Sequence, residues 1–253
     1  AVGHTSVFTG SVPAIHGIAG NDFMMDGRMV YCCEDSTVSG VGTDGKAGRM
    51  SPRRLLSTTI ADELKIATGF KAKVIGVSLK DRAAILPAGH SADAAYWMDN
   101  ATGCFITSTY YMKELPRWVV SFNKKYGGRS ESEVSYSTYG NLVTAEMAKA
   151  AVEGEALGQD SVTDMLTVSF SVTDKVGHKV ATHSPEIQEI YVDVDKRLAD
   201  LFAYLDQKVG KGQYLAFLTA DHGAANNILM LQEHGIPAGG FVASKVAKEL
   251  DTY

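Results

Sequence analysis

Two acid–imidazole pairs stand out in this chain, each at the end of an apolar run. In SFSVTDKVGHK, residues 169–179, the run from Met165 to Val172 gives way to Asp174 and, four residues on, to His178. In AFLTADHGAA, residues 216–225, Asp221 and His222 close a second run. Two carboxylates and two imidazoles make a hard-and-borderline ligand set, suited to Zn2+ or a similar divalent ion. Gly177 and Gly223 stand where the backbone could turn tightly at such an ion. A single pair has an ordinary reading, because an Asp after a strand is a common cap or turn former. Two pairs at two strand ends favour the metal. A third run, VIGVSL, ends in Lys80 and Arg82. Cations beside a metal suit an anionic substrate, and phosphate is the commonest; alone they would be a solvated charge pair.

Upstream, GHTSVFTGSVPAIHGIAGND sets small and hydroxyl residues before an apolar run, as at a helix N-terminus that can hold an anion. Asn21 lies in a Gly-rich turn there, where its amide can donate to an oxyanion. His4, His16, His90, His183 and His234 read as structural or exposed. GVGTDG, residues 40–45, matches G-x-G-x-x-G, but no strand is expected before it and no helix after it, so the dinucleotide reading fails its context.

The elements that must position these residues alternate. Strands are expected over 71–79, 103–107, 163–171 and 213–220. Helices are expected from Ser51-Pro52 to Gly69, over 114–125 and 141–157, from Ser184-Pro185 to about Val209, and from Ser244. The pattern predicts an α/β fold, a mostly parallel central sheet with helices on both faces. Chemistry in such sheets lies beyond the carboxyl ends of the strands, where all three motifs fall. Residues 24–50, rich in Gly, Asp and Ser, read as a surface excursion or lid within a single domain spanning 1–253.

With 253 residues, 45% of them hydrophobic, the chain can bury one large core. A net charge of −5 offers no basic surface for nucleic acid. No apolar run is long enough to span a membrane. No protein partner is indicated. Cys32, Cys33 and Cys104 read as free thiols: adjacent cysteines do not easily bond to each other, and the spacing fits no zinc motif. A bond from Cys104 to either of the others stays open. The opening residues, AVGHTSVFTG, read as the interior of a domain.

GHTSVFTGSVPAIHGIAGN, SLKDRAAILPAGHSADAAYW, TDKVGH and LTADHGAA stand in the order seen in the alkaline phosphatase superfamily. The resemblance is to its type I phosphodiesterase/nucleotide pyrophosphatase branch, and within that to PafA-like bacterial alkaline phosphatases. It implies a two-zinc site, with Asp174 and His178 on one ion and Asp221 and His222 on the other. It implies that Asn21 donates to a phosphoryl oxygen, and that Lys80 and Arg82 are the pair marking monoester-specific members. The expected activity is that of a zinc-dependent phosphomonoesterase acting on small phosphate esters, in a periplasmic or secreted location. The family's Thr nucleophile would stand directly before Ala1, and further ligands upstream and downstream. The resemblance therefore implies a chain truncated at both ends and by itself inactive. A phosphodiesterase, or a non-catalytic fragment of the fold, are the alternatives.

Overall fold

The computed structural model describes residues 1–180 and 182–252. Helices α1 (Val2–Thr9) and α2 (Pro13–His16) lead into a hairpin of β1 (Asp22–Met25) and β2 (Arg28–Tyr31). A short strand β3 (Gly40–Val41) and a 3-10 turn at Lys46–Gly48 come next. Then follow α3 (Ile60–Ala67), β4 (Val74–Ser78), α4 (Asp81–Ala88), β5 (Ala94–Asp99) and β6 (Cys104–Ser108). Helices α5 (Arg117–Tyr126), α6 (Glu131–Ser135) and α7 (Thr138–Gly154) precede β7 (Met165–Ser169). Beyond it lie α8 (Val172–Gly177), α9 (Pro185–Leu205), α10 (Ile228–Glu233) and α11 (Ala243–Asp251).

The main sheet has five strands among the described residues, in the order β3-β6-β5-β4-β7. Strands β5, β4 and β7 run parallel. Strands β6 and β3 are antiparallel additions on one flank. The α/β expectation holds, but the sheet is mixed. The physical reason lies at the turn between β5 and β6, where Gly103 adopts φ +63°: a connection that short can only reverse the chain, since a parallel neighbour needs a long crossover. Strand β5 has no counterpart among the expected strands.

Both faces of the sheet are covered. Ala94, Tyr96 and Met98 of β5 pack with Ile75, Val77, Phe105, Val119, Val143 and Met147, so α5 and α7 lie on one side. Ala95 and Trp97, pointing the other way, pack with Ala84, Ile85 and Leu86 of α4 and with Ile18, Cys32 and Cys33. The period of two along β5 sorts its side chains between these cores. Each large side chain so buried stabilises the fold by roughly 1.5–3 kcal/mol. Gly76 lets α4 sit close against β4: a Cβ there would lie 2.1 Å from the Ala84 carbonyl oxygen.

Two local expectations are corrected. The helix expected from Ser51 starts only at Ile60. Thr59 and Asp62 form a reciprocal capping box that fixes the start, and 51–58 is turn and coil. Residues 214–220 form no strand. They join no ladder among the described residues, and Leu215 is 92% exposed; an apolar run becomes a strand only where a ladder receives it. The cysteines are all free, with Cys32 and Cys33 fully buried. Within 24–50, Ala47 accepts a hydrogen bond from the Trp97 indole at 2.9 Å, which ties this stretch to the core.

Candidate active site at the strand ends

Strands β4 and β7 lie side by side in register, Ser78 opposite Ser169. Lys80 follows β4 as the N-cap of α4, and Arg82 sits in that helix's first turn. Asp174 lies in the short helix α8 that follows β7, and His178 is its C-cap. Asp221 and His222 come from the irregular segment after residue 220, and Asn21 from the turn just before β1. These seven residues all line one cavity of about 110 Å3, together with Ala1, His4 and Ala83. The cavity lies beyond the carboxyl ends of the parallel strands, where α/β sheets place their ligands.

Asp174 is the hub. Its Oδ2 receives the Lys80 ammonium in an ion pair, and its Oδ1 lies 3.3 Å from His178 Nε2 and 3.5 Å from His222 Nε2. Burial pushes its carboxyl up, but the Lys80 ammonium and the two imidazoles outweigh that and hold it below the usual carboxylate value. Asp221 is gripped from elsewhere: His4 Nδ1 lies 2.9 Å from its Oδ2. The His4 contact, against the opposing effect of burial, holds the Asp221 carboxyl far below its ordinary range. His4 Nε2 is in turn 3.1 Å from the Ser169 hydroxyl at the end of β7. Asn21 accepts a 3.0 Å hydrogen bond at Oδ1 from the Ala1 amine.

Helix α1 comes very close to this corner. A Cβ on Gly3 would lie 1.7 Å from the Asp221 carbonyl oxygen. Gly3 is therefore the glycine the site requires. Gly177 and Gly223, expected to turn the backbone at an ion, have no left-handed φ and nothing crowding them.

By chemistry the donors suit a divalent ion, with two imidazole nitrogens drawn to one carboxylate oxygen. Among the described residues, however, no three His, Cys, Asp or Glu side chains converge as a metal-holding group. Asp174 spends its other oxygen on Lys80 instead. Sequence reasoning set His4 aside as structural or exposed, yet it reaches the cavity. It also passed over Tyr31 and Asp81, which hold Arg82. The available signals were the Gly3-His4 step, with its room for close approach, and the Asp set between two cations in Lys80-Asp81-Arg82.

Fold and cavity together define a class. The chain belongs to the type I phosphodiesterase / nucleotide pyrophosphatase family, whose model matches residues 1–243. Alkaline phosphatase PafA of Elizabethkingia meningoseptica is 46% identical over 294 aligned positions, covering 96% of this chain and 54% of that protein. Alkaline phosphatase PhoV of Synechococcus elongatus is 43% identical, covering all of this chain and 54% of that protein. The crystal structure of wild-type PafA superposes with a TM-score of 0.94 at 44% identity, over 99% of this chain and 58% of that one. A PafA variant substituted at a Thr, an Asn, a Lys and an Arg, the last two separated by one residue, superposes at 0.93 with 42% identity, over 99% of this chain and 59% of that one. The chain thus spans about half the length of the curated relatives it matches.

Proposed function

We propose that the protein, at the length of its relatives, is a zinc-dependent phosphomonoesterase of the alkaline phosphatase type with a Thr nucleophile, and that the present chain alone is nearly inactive. One observation carries the reading: Asn21, Lys80 and Arg82 share a cavity with the acid–imidazole cluster of Asp174, His178, Asp221 and His222. Supporting it, the relatives are named alkaline phosphatases, and the PafA variant alters an Asn and a Lys-x-Arg pair of the same types and order.

Asp174 with His178, and Asp221 with His222, would hold two zinc ions, which supply Lewis-acid stabilisation to the attacking and leaving oxygens. The protein's own groups do the rest. An ammonium has three donors, and Lys80 spends one on Asp174. The remaining donors of Lys80 and the Arg82 fork meet the non-bridging phosphoryl oxygens. The Asn21 amide adds a neutral donor. A monoester carries one more charged oxygen than a diester, so two fixed cations favour the monoester. His4 holds Asp221 in orientation from behind. The substrates are small phosphate esters, and the location that goes with the activity is periplasmic or secreted. Among the described residues no helix is long and apolar enough to cross a membrane.

The family description favours a second reading, a phosphodiesterase or nucleotide pyrophosphatase. The test uses zinc-loaded protein of the relatives' length and compares kcat/KM for an aryl phosphate monoester and its matching diester. Replacing Lys80 and Arg82 with Ala should lower monoester turnover at least a hundredfold, roughly two charge-assisted hydrogen bonds, and leave the diester nearly unchanged. Equal losses would remove the basis of the monoester assignment. Inactivity on both esters would favour a non-catalytic member of the fold.

A further inference from the structure

Arg82 lines the cavity and is held at both its guanidinium and its backbone N–H. Its Nη1 donates to the Tyr31 hydroxyl at 3.1 Å, and that hydroxyl donates to Asp81 Oδ1 at 2.6 Å. Asp81 Oδ1 also accepts the backbone N–H of Arg82 at 2.7 Å. A second hollow of about 300 Å3 lies against Lys80 and Arg82, and Tyr31, Asp81 and Trp97 line it as well. Lys80 and Arg82 thus line both spaces, and Tyr31 and Asp81, which hold Arg82, line the second.

Tyr31 is also wired to the other phosphoryl contact. It ends the hairpin that opens directly after Asn21, pairing with Asp22. The next residue, Cys32, donates its backbone N–H to the Asn21 carbonyl at 2.8 Å, and Arg54 Nε donates to the Tyr31 carbonyl at 3.1 Å. The turn Tyr31–Glu34 is closed by the Glu34 N–H on the Tyr31 carbonyl and is packed by the buried Cys32 and Cys33. One rigid turn therefore meets Arg82 through a side chain and Asn21 through the backbone.

We propose that Tyr31, seated on Asp81, is a positioning residue that aims the Arg82 guanidinium at a bound phosphoryl group. This rests on the reading of Arg82 as a phosphate contact. With its proton committed to Asp81, the Tyr31 hydroxyl turns its lone pairs to Arg82. The relay removes one free N–H and limits rotation of the guanidinium, so less freedom is lost when an anion binds.

The test is a double-mutant cycle on zinc-loaded protein of the relatives' length, read as the Kd for inorganic phosphate by titration calorimetry. Tyr31→Phe keeps the ring and removes only the hydroxyl. It should weaken phosphate about tenfold, the scale of one hydrogen bond to a charged group. Arg82→Ala should weaken it more. In the Arg82→Ala background, Tyr31→Phe should have no further effect, because the group it aims is gone. An equal loss in both backgrounds, or no loss from Tyr31→Phe while Arg82→Ala weakens binding, would overturn the proposal. If Arg82→Ala itself leaves phosphate binding unchanged, or the unaltered zinc-loaded protein binds none, the phosphate-contact reading fails, and the relay with it. Asp81→Asn is the second variant: it keeps an acceptor on Tyr31 and should cost less than Tyr31→Phe.

Discussion

The contact between Lys80 and Asp174 sets two demands against each other at the level of single side chains. The same carboxylate is the hub of the imidazole cluster and the anchor of a cation meant for phosphate. Asp174 is about a quarter exposed, so the pair is partly screened. A divalent ion arriving at Asp174 would share it with an ammonium of like charge. Lys80→Ala should therefore let this chain bind Zn2+ roughly two- to fivefold more tightly, the scale of a partly exposed ion pair. Competition with a chromogenic chelator measures it; unchanged affinity would mean that Asp174 is not a ligand. The side chains legible in the sequence are those whose partners are announced by local spacing after an apolar run: Asp174 with His178, Asp221 with His222, Lys80 with Arg82. His4, Tyr31 and Asp81 give at most a faint local signal, because their roles arise between segments distant in the chain. His4 meets Asp221, and Tyr31 meets Asp81 and Arg82, only once α1 and the β1–β2 hairpin are packed.

Elements were readable where one strong pattern governed them. Strand β4 is buried along its whole length, as its unbroken apolar run suggests, and α9 begins at the Ser184-Pro185 signal. Strand β5 was missed because Ala94 to Asp99 lacks a β-branched residue, and its alternation between two cores leaves no polar face to betray it. The start of α3 was misplaced because Ser51-Pro52 is a good local signal overruled by a better one. Asp62 accepts the Thr59 N–H at 2.9 Å and the Ser91 N–H at 2.7 Å, so it caps the helix and also pins the loop after α4. Burial pushes the Asp62 carboxyl up, but these backbone donors outweigh it and hold it below its ordinary value of 3.8. Asp62→Ala should destabilise the fold by about 2 kcal/mol near neutral pH, a lost cap plus a buried N–H left unpaired. A depressed carboxyl contributes stability that is fully present above the unfolded value and lost as pH falls through the folded one. The gap between wild type and variant in urea melts should therefore be constant from pH 7 to about 5 and shrink below pH 3.8. A gap that does not change down to pH 3 would mean that the cap owes nothing to the ionised carboxylate.

At the scale of the whole molecule, the two ends of the chain behave differently. Residues up to about 205 feed two cores on opposite faces of one sheet. Beyond that point apolar side chains turn outward: Leu215, Phe217 and Leu218 are each at least 63% exposed, and Phe241 and Leu250 join them. Phe217 meets Phe8 at 6.3 Å between ring centroids, a single aromatic contact. The same stretch carries Asp221 and His222 into the cavity, so half of the imidazole cluster hangs on a segment with no ladder and little burial. Strand β7, the nearest carrier of site residues, ends the sheet and pairs only with β4 among the described residues. An edge strand and an exposed apolar run are each templates for association. The chain should therefore self-associate with rising concentration, and Leu215→Lys combined with Leu218→Lys should return it towards monomer without altering the far-ultraviolet circular dichroism. Sedimentation velocity over a hundredfold concentration range measures this. If the unaltered chain stays monomeric throughout, residues 214–220 are covered in solution, and Asp221 and His222 are then held more firmly than their exposed backbone indicates.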